Sequence, residues 1–366
     1  MPHAKHTVLA MNPGSASTKF AVYEGELEVL VRNVRHSESD LAKFKGRPIL
    51  EQSGYRSGLI EAELTAAGIP ISSLSAVAGR GGLLRPLASG TYRVNSEMLD
   101  ELRRAERGEH ASNLGAVLAE GIARRANVSA YVVDPVSVDE WPEIARLSGS
   151  AVLDRQCLSH ALNTKAVAKR YAREHDGKYA DLRLVVAHAG SGISVSAHAG
   201  GRMIDVTNSR EEGAFSTERA GTVPCMKLVH MCFSGKYTAR EIENMLFREG
   251  GLASYLGTKD LQEVERRIGE GDERAKLVYD AMVYQIAKEI GAMATVLRGR
   301  VDAILLTGGM AHSMRFTGSL YERVGWIAPV AVYPGEDELK ALVEGVLRVL
   351  NGEEPALELR TAGASA

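Results

Sequence analysis

The residues able to do chemistry in this chain stand at the ends of short apolar runs, beside glycine. The first group is Asn12-Pro13-Gly14-Ser15-Ala16-Ser17-Thr18-Lys19, a tight turn with three hydroxyls and one lysine. Backbone N–H groups in such a turn can face an anion, Lys19 adds a point charge, and Asn12 adds a neutral hydrogen-bonding group. The same residues suit a plain hairpin turn with an exposed lysine. The turn is not a P-loop, because GxxxxGK[ST] is absent and strands flank it. His188-Ala189-Gly190-Ser191-Gly192 repeats the arrangement. Gly190 and Gly192 let a phosphate approach the backbone, and His188 stands at a strand end where it can reach a ligand. A structural hairpin with a buried histidine fits those residues equally. Thr307-Gly308-Gly309 follows another apolar run, and Gly-Gly at a strand end before a helix is a usual nucleotide approach point in α/β proteins. Arg80, within Gly79-Arg80-Gly81-Gly82, and Arg219, before Ala220-Gly221, lie beside small residues. A guanidinium there pairs with phosphate or carboxylate, or closes an internal salt bridge. Asp134 ends a very apolar strand. Its carboxylate suits magnesium or the orientation of a transferring group, and equally a cap on the Pro135 turn. Asp205, Glu211 and Glu212, around Asn208-Ser209, are second-rank candidates.

These groups need strands to hold them. Thr7–Met11, Lys19–Tyr23 and Leu27–Val34 are short runs broken by turn residues, the pattern of antiparallel hairpins. Leu59–Ala67 reads as a helix ending at Gly68, and Ser75–Ala78 as a strand into a glycine turn. Asn113–Arg125 has helical spacing, and Ala130–Val133 is a buried strand ahead of Asp134. Ser159–Arg173 reads as a helix, Leu182–Ala187 as the strand before His188, and Ile193–Ala197 as its return. Gly200-Gly201 then turns into Met203–Val206. Arg274–Arg298 is a long helix with Leu277, Met282, Ile286, Ile290, Met293 and Leu297 near one side. Val301–Leu306 and Val330–Tyr333 are the last strands, Asp337–Leu350 is a closing helix, and the tail from Gly352 is expected to fray. Strand, glycine turn and return strand thus occur twice, with 176 residues from Gly14 to Gly190. Two domains of like topology, divided near residue 150, would explain the repeat.

Composition narrows the classes. A chain of 366 residues suggests two domains and needs no disulfide or metal to build a core. Forty-four basic against 46 acidic residues give a formal charge of −2, which offers no general attraction to nucleic acid or anionic membranes. No apolar run is long enough for a transmembrane helix, and MPHAKHTVLAMNPGS lacks the apolar region of a signal peptide. Three scattered cysteines (Cys157, Cys225, Cys232) fit neither a disulfide framework nor a zinc site, so a cytoplasmic location is expected. The 37 glycines, about a tenth of the chain against a usual ~7%, are concentrated in the turns described above.

The stretches NPGSASTKFAVY, AGRGGLLRPLASGTY, VVDPVSVDEW, CLSHALNTKAVAKRY, VVAHAGSGISVSAHAGGRMIDVTN, EEGAFSTERAGTVP, ILLTGGMAHS and VYPGEDELKAL occur in order over nearly the whole chain. Together they resemble the acetate and butyrate kinase (acetokinase) family, and its shorter butyrate branch more than the longer acetate kinases. The resemblance implies a two-domain α/β fold with duplicated ribonuclease H-like cores, as in actin, Hsp70 and the sugar kinases. It implies an acid-substrate-side domain of residues 1–150 plus the C-terminal helix 335–366, and a nucleotide-binding domain of residues 151–334. The implied reaction is butanoate plus ATP giving butanoyl phosphate plus ADP, reversibly, with magnesium. Acetate, propionate or branched-chain acids are the alternative substrates, and a non-metabolic actin- or Hsp70-like ATPase is the remote one. Partners would be the acid and its acyl phosphate, in a homodimer or higher homo-oligomer, with no nucleic acid or membrane.

By the same resemblance, Asn12, Ser15, Ser17 and Lys19 lie near the phosphates and magnesium. Asp134 is the catalytic aspartate and His188 stabilises the moving phosphoryl group. His160 and Arg219 are further catalytic positions, and Arg80 stands on the acid side. Gly190, Gly192, Gly308 and Gly309 receive the nucleotide. Asp337 or Glu338 joins Asn12 at the magnesium, the register between the two being open. Two positions depart from the family pattern: Ser191 puts a side chain where the family has glycine, and Ala220 replaces a serine.

Overall fold

The computed structural model describes residues 6–360. Its strands are β1 Thr7–Pro13, β2 Ser17–Glu24, β3 Leu27–Arg35, β4 Ala76–Arg80, β5 Thr91–Arg93, β6 Ser129–Val133, β7 Leu184–Ala189, β8 Ile193–Ala199, β9 Arg202–Val206, β10 Ala303–Gly308, β11 Val330–Pro334 and β12 Leu357–Glu358. They form two sheets, ordered β12-β5-β6-β4-β1-β2-β3 and β11-β10-β7-β8-β9. The chain divides into two compact units, one running to Val138 and resuming at Asp337, the other Asp139–Glu336.

Without the β12-β5 edge, the two sheets have one topology. In the first, β1, β2 and β3 are antiparallel neighbours while β1, β4 and β6 run parallel. In the second, β7, β8 and β9 are antiparallel and β7, β10 and β11 parallel. The hairpins at Leu9–Val22 and Val185–Val195 therefore occupy equivalent places. Parallel strands need crossover connections, and helices supply them.

Side-chain alternation sets what lies on each face of the second sheet. Val185, Ala187, Ile304 and Leu306 pack with Met282, Val283, Ile286 and Ile290 of the helix Glu273–Val296. Leu184, Val186, Ala303 and Leu305 pack with Val167 and Ala168 of the helix Ala161–Glu174. Helices cover both faces, so the central strands read as unbroken apolar runs. In the first unit the helix Leu114–Ala126 packs on β4 and β6, and the helix Glu338–Leu350 on β1, β4 and β6.

Several expectations are corrected. The segment 139–150 goes with the second unit, where Glu140 is held by Lys165, whose side chain is 1% exposed. The helix expected from Leu59 begins at Ser53. Leu277 is 61% exposed, since it lies more than a quarter-turn away from the stripe of Met282 and Ile286. The tail does not fray at once, because Leu357 and Glu358 pair with Tyr92 and Arg93; residues 361–366 lie outside the described residues. Four helices between Cys225 and Gly269 had no counterpart in the sequence reading. Among the described residues no helix is long and apolar enough to cross a membrane.

Candidate active site

Ligands in α/β proteins meet the carboxyl ends of parallel strands, and both units bring their candidate residues there. In the second unit, residue 188 shares a sheet face with Leu184 and Val186, so His188 points toward the start of the helix Ala161–Glu174. There His160 precedes the first helical residue and stacks on His188, with ring centroids 3.8 Å apart and 11° between planes. His160 Nδ1 lies 2.9 Å from Ser194 Oγ, and Ser194 is the cross-strand partner of His188. His188 Nδ1 lies 2.8 Å from Asn163 Oδ1, and its Nε2 lies 3.5 Å from a Glu336 carboxylate oxygen.

The turn after β7 is shaped by what touches it. A Cβ at Gly192 would sit 2.6 Å from Arg219 Nη1, so only glycine leaves room for that guanidinium. Arg219 Nη1 donates to the Ser209 carbonyl at 3.0 Å and to its hydroxyl at 3.1 Å. Burial pulls the Arg219 pKa below the ordinary guanidinium value, and no carboxylate forms an ion pair with it among the described residues. A half-buried guanidinium without a carboxylate is suited to a bound anion. Ser191 is exposed, and its carbonyl is fixed by the Ser216 hydroxyl at 2.5 Å. Beside this turn lies a cleft of about 620 Å³ whose lining includes Gly190, Ser191, Thr217, Lys259, Gly309 and Ser313. Gly308 closes β10 with φ 90°, and Gly309 follows on the cleft wall. The volume lies within the usual range for a small-molecule site.

In the first unit, Asn12, Arg80 and Asp134 stand at or just beyond the ends of β1, β4 and β6. A Cβ on Gly79 would lie 2.0 Å from the Gly115 carbonyl oxygen, so this glycine pair lets the helix Leu114–Ala126 press onto the strand that ends in Arg80. Arg80 Nη1 lies 2.9 Å from Glu338 Oε1 and 3.4 Å from Asn12 Oδ1. The Asn12 amide donates to the other Glu338 oxygen. Glu338, 8% exposed at the head of its helix, is thus the acid that meets Asn12, while Asp337 is exposed in the left-handed conformation at φ 42°. Asp134 is also left-handed, at φ 38°, and its Oδ1 accepts from the Ser89 hydroxyl at 2.6 Å and the Gly90 amide at 2.8 Å. A buried aspartate held in a disfavoured backbone conformation by two donors is a built feature.

The loop after β1 closes with Gly14 N–H to the Ser17 carbonyl at 2.8 Å. Ser15 and Lys19 are exposed, Ser17 is half-buried, and Lys19 faces Asn12 across the hairpin. Arg56, fully buried, donates to the carbonyls of Gly14, Ser15 and Ser17 and to the Thr18 hydroxyl. Sequence reasoning missed it, although Arg56, Ile60 and Leu64 at four-residue spacing mark one buried helix face. It also missed Asn163 and Ser89, which hold His188 and Asp134; nothing local marks either one. Asp205 and Glu212 are not brought to this site, because both pair with Arg155, which also covers the Trp141 ring. Glu211 is exposed and lies within hydrogen-bond reach of Asn208 at 3.4 Å.

Two sheets of this one topology, with helices on both faces, are the duplicated core of the fold shared by actin, Hsp70 and the sugar kinases. The chain superposes on acetate kinase from Porphyromonas gingivalis with a TM-score of 0.77, at 18% identity and covering 93% of this chain and 99% of that one. It superposes on a propionate kinase from Francisella tularensis with a TM-score of 0.73, at 16% identity and covering 93% and 98%. At those identities the likeness concerns the fold. Residues 154–318 match the acetokinase family. Over 353 residues the chain is 50% identical to butyrate kinase 2 of Clostridium acetobutylicum, covering 96% of this chain and 99% of that protein. The chain belongs to the acetokinase family.

Proposed function

We propose that this chain transfers the γ-phosphoryl group of ATP to a short-chain carboxylic acid, butyrate in preference to acetate, giving the acyl phosphate and ADP. The observation that carries this reading is the 50% identity to butyrate kinase 2 over almost the whole of both chains. An acid oxygen forms a bond to the γ-phosphorus, the bond from that phosphorus to the bridging oxygen breaks, and its electron pair leaves with ADP. No proton is taken up or released. A carboxylate is already a nucleophile at neutral pH, so the difficulty is to bring one anion to another.

The second unit takes the nucleotide. The Gly190–Gly192 turn and the cleft beside Gly309 receive ATP, with Gly308 closing the strand end. His188 and Arg219 hold the oxygens of the transferring group, and His160 supports the His188 ring by stacking. The first unit takes the acid, whose carboxylate Arg80 meets and Asp134 orients. Ser15, Ser17 and Lys19 of its first loop are the groups there that can donate to phosphate oxygens. Acetokinase-family enzymes use ATP and magnesium, and the metal when bound neutralises phosphate oxygens. Magnesium keeps most of its waters and takes one or two carboxylates beside substrate phosphates, so Asn12 and Glu338 fit it without a larger cage. Among the described residues no group of three acids, histidines or cysteines is placed to hold a metal ion by itself.

Hydroxamate trapping of acyl phosphate with acetate, propionate, butyrate, isobutyrate and isovalerate tests the reading. Each methylene buried is worth about 0.8 kcal/mol, so butyrate should exceed acetate roughly tenfold in kcat/KM. A maximum at acetate would replace butyrate and leave the carboxylate kinase standing. ATP hydrolysis without acyl phosphate from any acid would point to an actin- or Hsp70-like ATPase. A homo-oligomer is also expected. The helix Cys225–Cys232 buries no residue, and Met226 and the following Phe233 are 66% and 87% exposed. Its Lys227 and the Glu241 and Glu243 of the next helix are opposite charges that a two-fold axis can pair between copies. Light scattering that gives a monomer mass at micromolar concentration would refute self-association.

A further inference from the structure

We propose that Asn163 is a positioning residue that fixes which nitrogen of His188 carries its proton, and so which nitrogen meets the moving phosphoryl group. The inference rests on His188 facing that group, as proposed above. Asn163 is the third residue of the helix Ala161–Glu174 and is 3% exposed. Its side-chain amide has two ends with opposite demands. The Nδ2 end lies 2.8 Å from the Glu336 main-chain carbonyl, which can only accept, so this end is the NH2 group. The Oδ1 end therefore faces His188 Nδ1 at 2.8 Å. An amide oxygen has no proton to give, so Nδ1 carries the hydrogen of that bond.

The consequence falls on Nε2. In the neutral ring Nε2 is a bare lone pair, which repels a phosphate oxygen. It becomes a donor only when the ring takes up a second proton, and the hydrogen bond it then makes is charge-assisted. The Glu336 carboxylate lies 3.5 Å from Nε2, and the turn places Gly190 there, whose absent Cβ would stand 3.3 Å from it. The His160 ring covers one face of the imidazole, and His188 itself is 1% exposed, so water does not compete for Nδ1. One asparagine thus decides which nitrogen carries the ring's first proton. It does so from the residue that also holds the main chain at Glu336, where the second unit ends.

Nitrogen-15 NMR of histidine-labelled, unliganded protein reads the tautomer directly, with the His188 signals assigned by their loss in His188→Ala. The expected result is a protonated Nδ1 in the wild type and a shift toward the Nε2–H tautomer in Asn163→Leu. Asn163→Asp keeps an acceptor against Nδ1 and should keep the wild-type tautomer. In steady-state assays Asn163→Leu should lower kcat about ten- to a hundredfold with little change in the KM for ATP. Asn163→Asp should stay within about threefold of wild type. A bare Nδ1 in the wild type would overturn the proposal. An unchanged His188 spectrum in the leucine variant would do the same, as would equal kcat losses in the two variants. If the leucine variant does not fold, the wild-type spectrum and the aspartate variant decide. Wild-type turnover in His188→Ala would instead remove His188 from the reaction, leaving the tautomer assignment to stand or fall on the spectrum.

Discussion

The strand ends of the two units share one scaffold and differ in how their charges are satisfied. At the ends of β1 and β4 the ions are paired internally: Arg80 with Glu338, and Glu338 with the Asn12 amide. At the end of β7 the guanidinium is not: among the described residues Arg219 has hydroxyl and carbonyl partners but no carboxylate, while His188 Nε2 has the Glu336 carboxylate 3.5 Å away beside the glycine turn. A paired cluster is stable empty and exchanges a partner when substrate arrives. An unpaired guanidinium is held at a cost that a bound phosphate relieves. Two sheets of one topology thus carry rims whose charges are satisfied in different ways.

The largest test of this contrast falls on the second unit. His188→Ala should lower turnover about 10²–10³-fold while the Kd for ATP, measured calorimetrically, changes less than about threefold. Equal losses in both would make His188 a ground-state binding group. The paired side should respond more mildly and unequally. Glu338→Gln should cost about ten- to a hundredfold in kcat and raise the magnesium needed for half-maximal rate, whereas Asp337→Asn should cost far less. Comparable losses at the two positions would reverse the assignment drawn from the Asn12 contact.

The smallest test sets His188 beside a second buried histidine of the same unit. His198 is sealed between the Tyr179 hydroxyl and Ser196, at 2.7 and 2.8 Å. Burial first, and the Lys165 charge second, push its pKa down to about 3. The folded protein keeps His198 neutral while the unfolded chain protonates near pH 6.5, so its stability contribution is full above that value. It declines as the pH falls from about 6.5 toward 3. Between pH 7 and 5 the wild type should lose about 2 kcal/mol more stability than His198→Gln, read from urea midpoints. Parallel losses in the two proteins would show that another group drives the acid limb.

The sequence was most informative where local rules act alone. Turn residues and apolar runs located the hairpins at Gly14 and Gly190, and the repeat foretold equivalent places for them. Asn12, Arg80, Asp134, His188 and Arg219 were legible as polar residues stranded at strand ends or beside glycine. Their supports were not, because support comes from residues far away in sequence. Ser89 reaches Asp134 across 45 residues, Arg56 reaches the first loop across about 40, and Asn163 reaches Glu336 across 173. The choice between Asp337 and Glu338 was equally closed to spacing alone. It depends on Asp337 taking a left-handed turn that brings the next side chain inward.

The first unit is interrupted, its parts lying on either side of Asp139–Glu336. During synthesis on the ribosome, the second unit can be completed while the first still lacks the helix Glu338–Leu350 and the edge strand at Leu357. Arg80 then waits for Glu338, 258 residues further along the chain. A nascent chain that has reached Glu336 can present the glycine turn and the cleft before the Arg80–Glu338 pair exists. The order of translation therefore makes the Arg80–Glu338 rim a later event than the second unit.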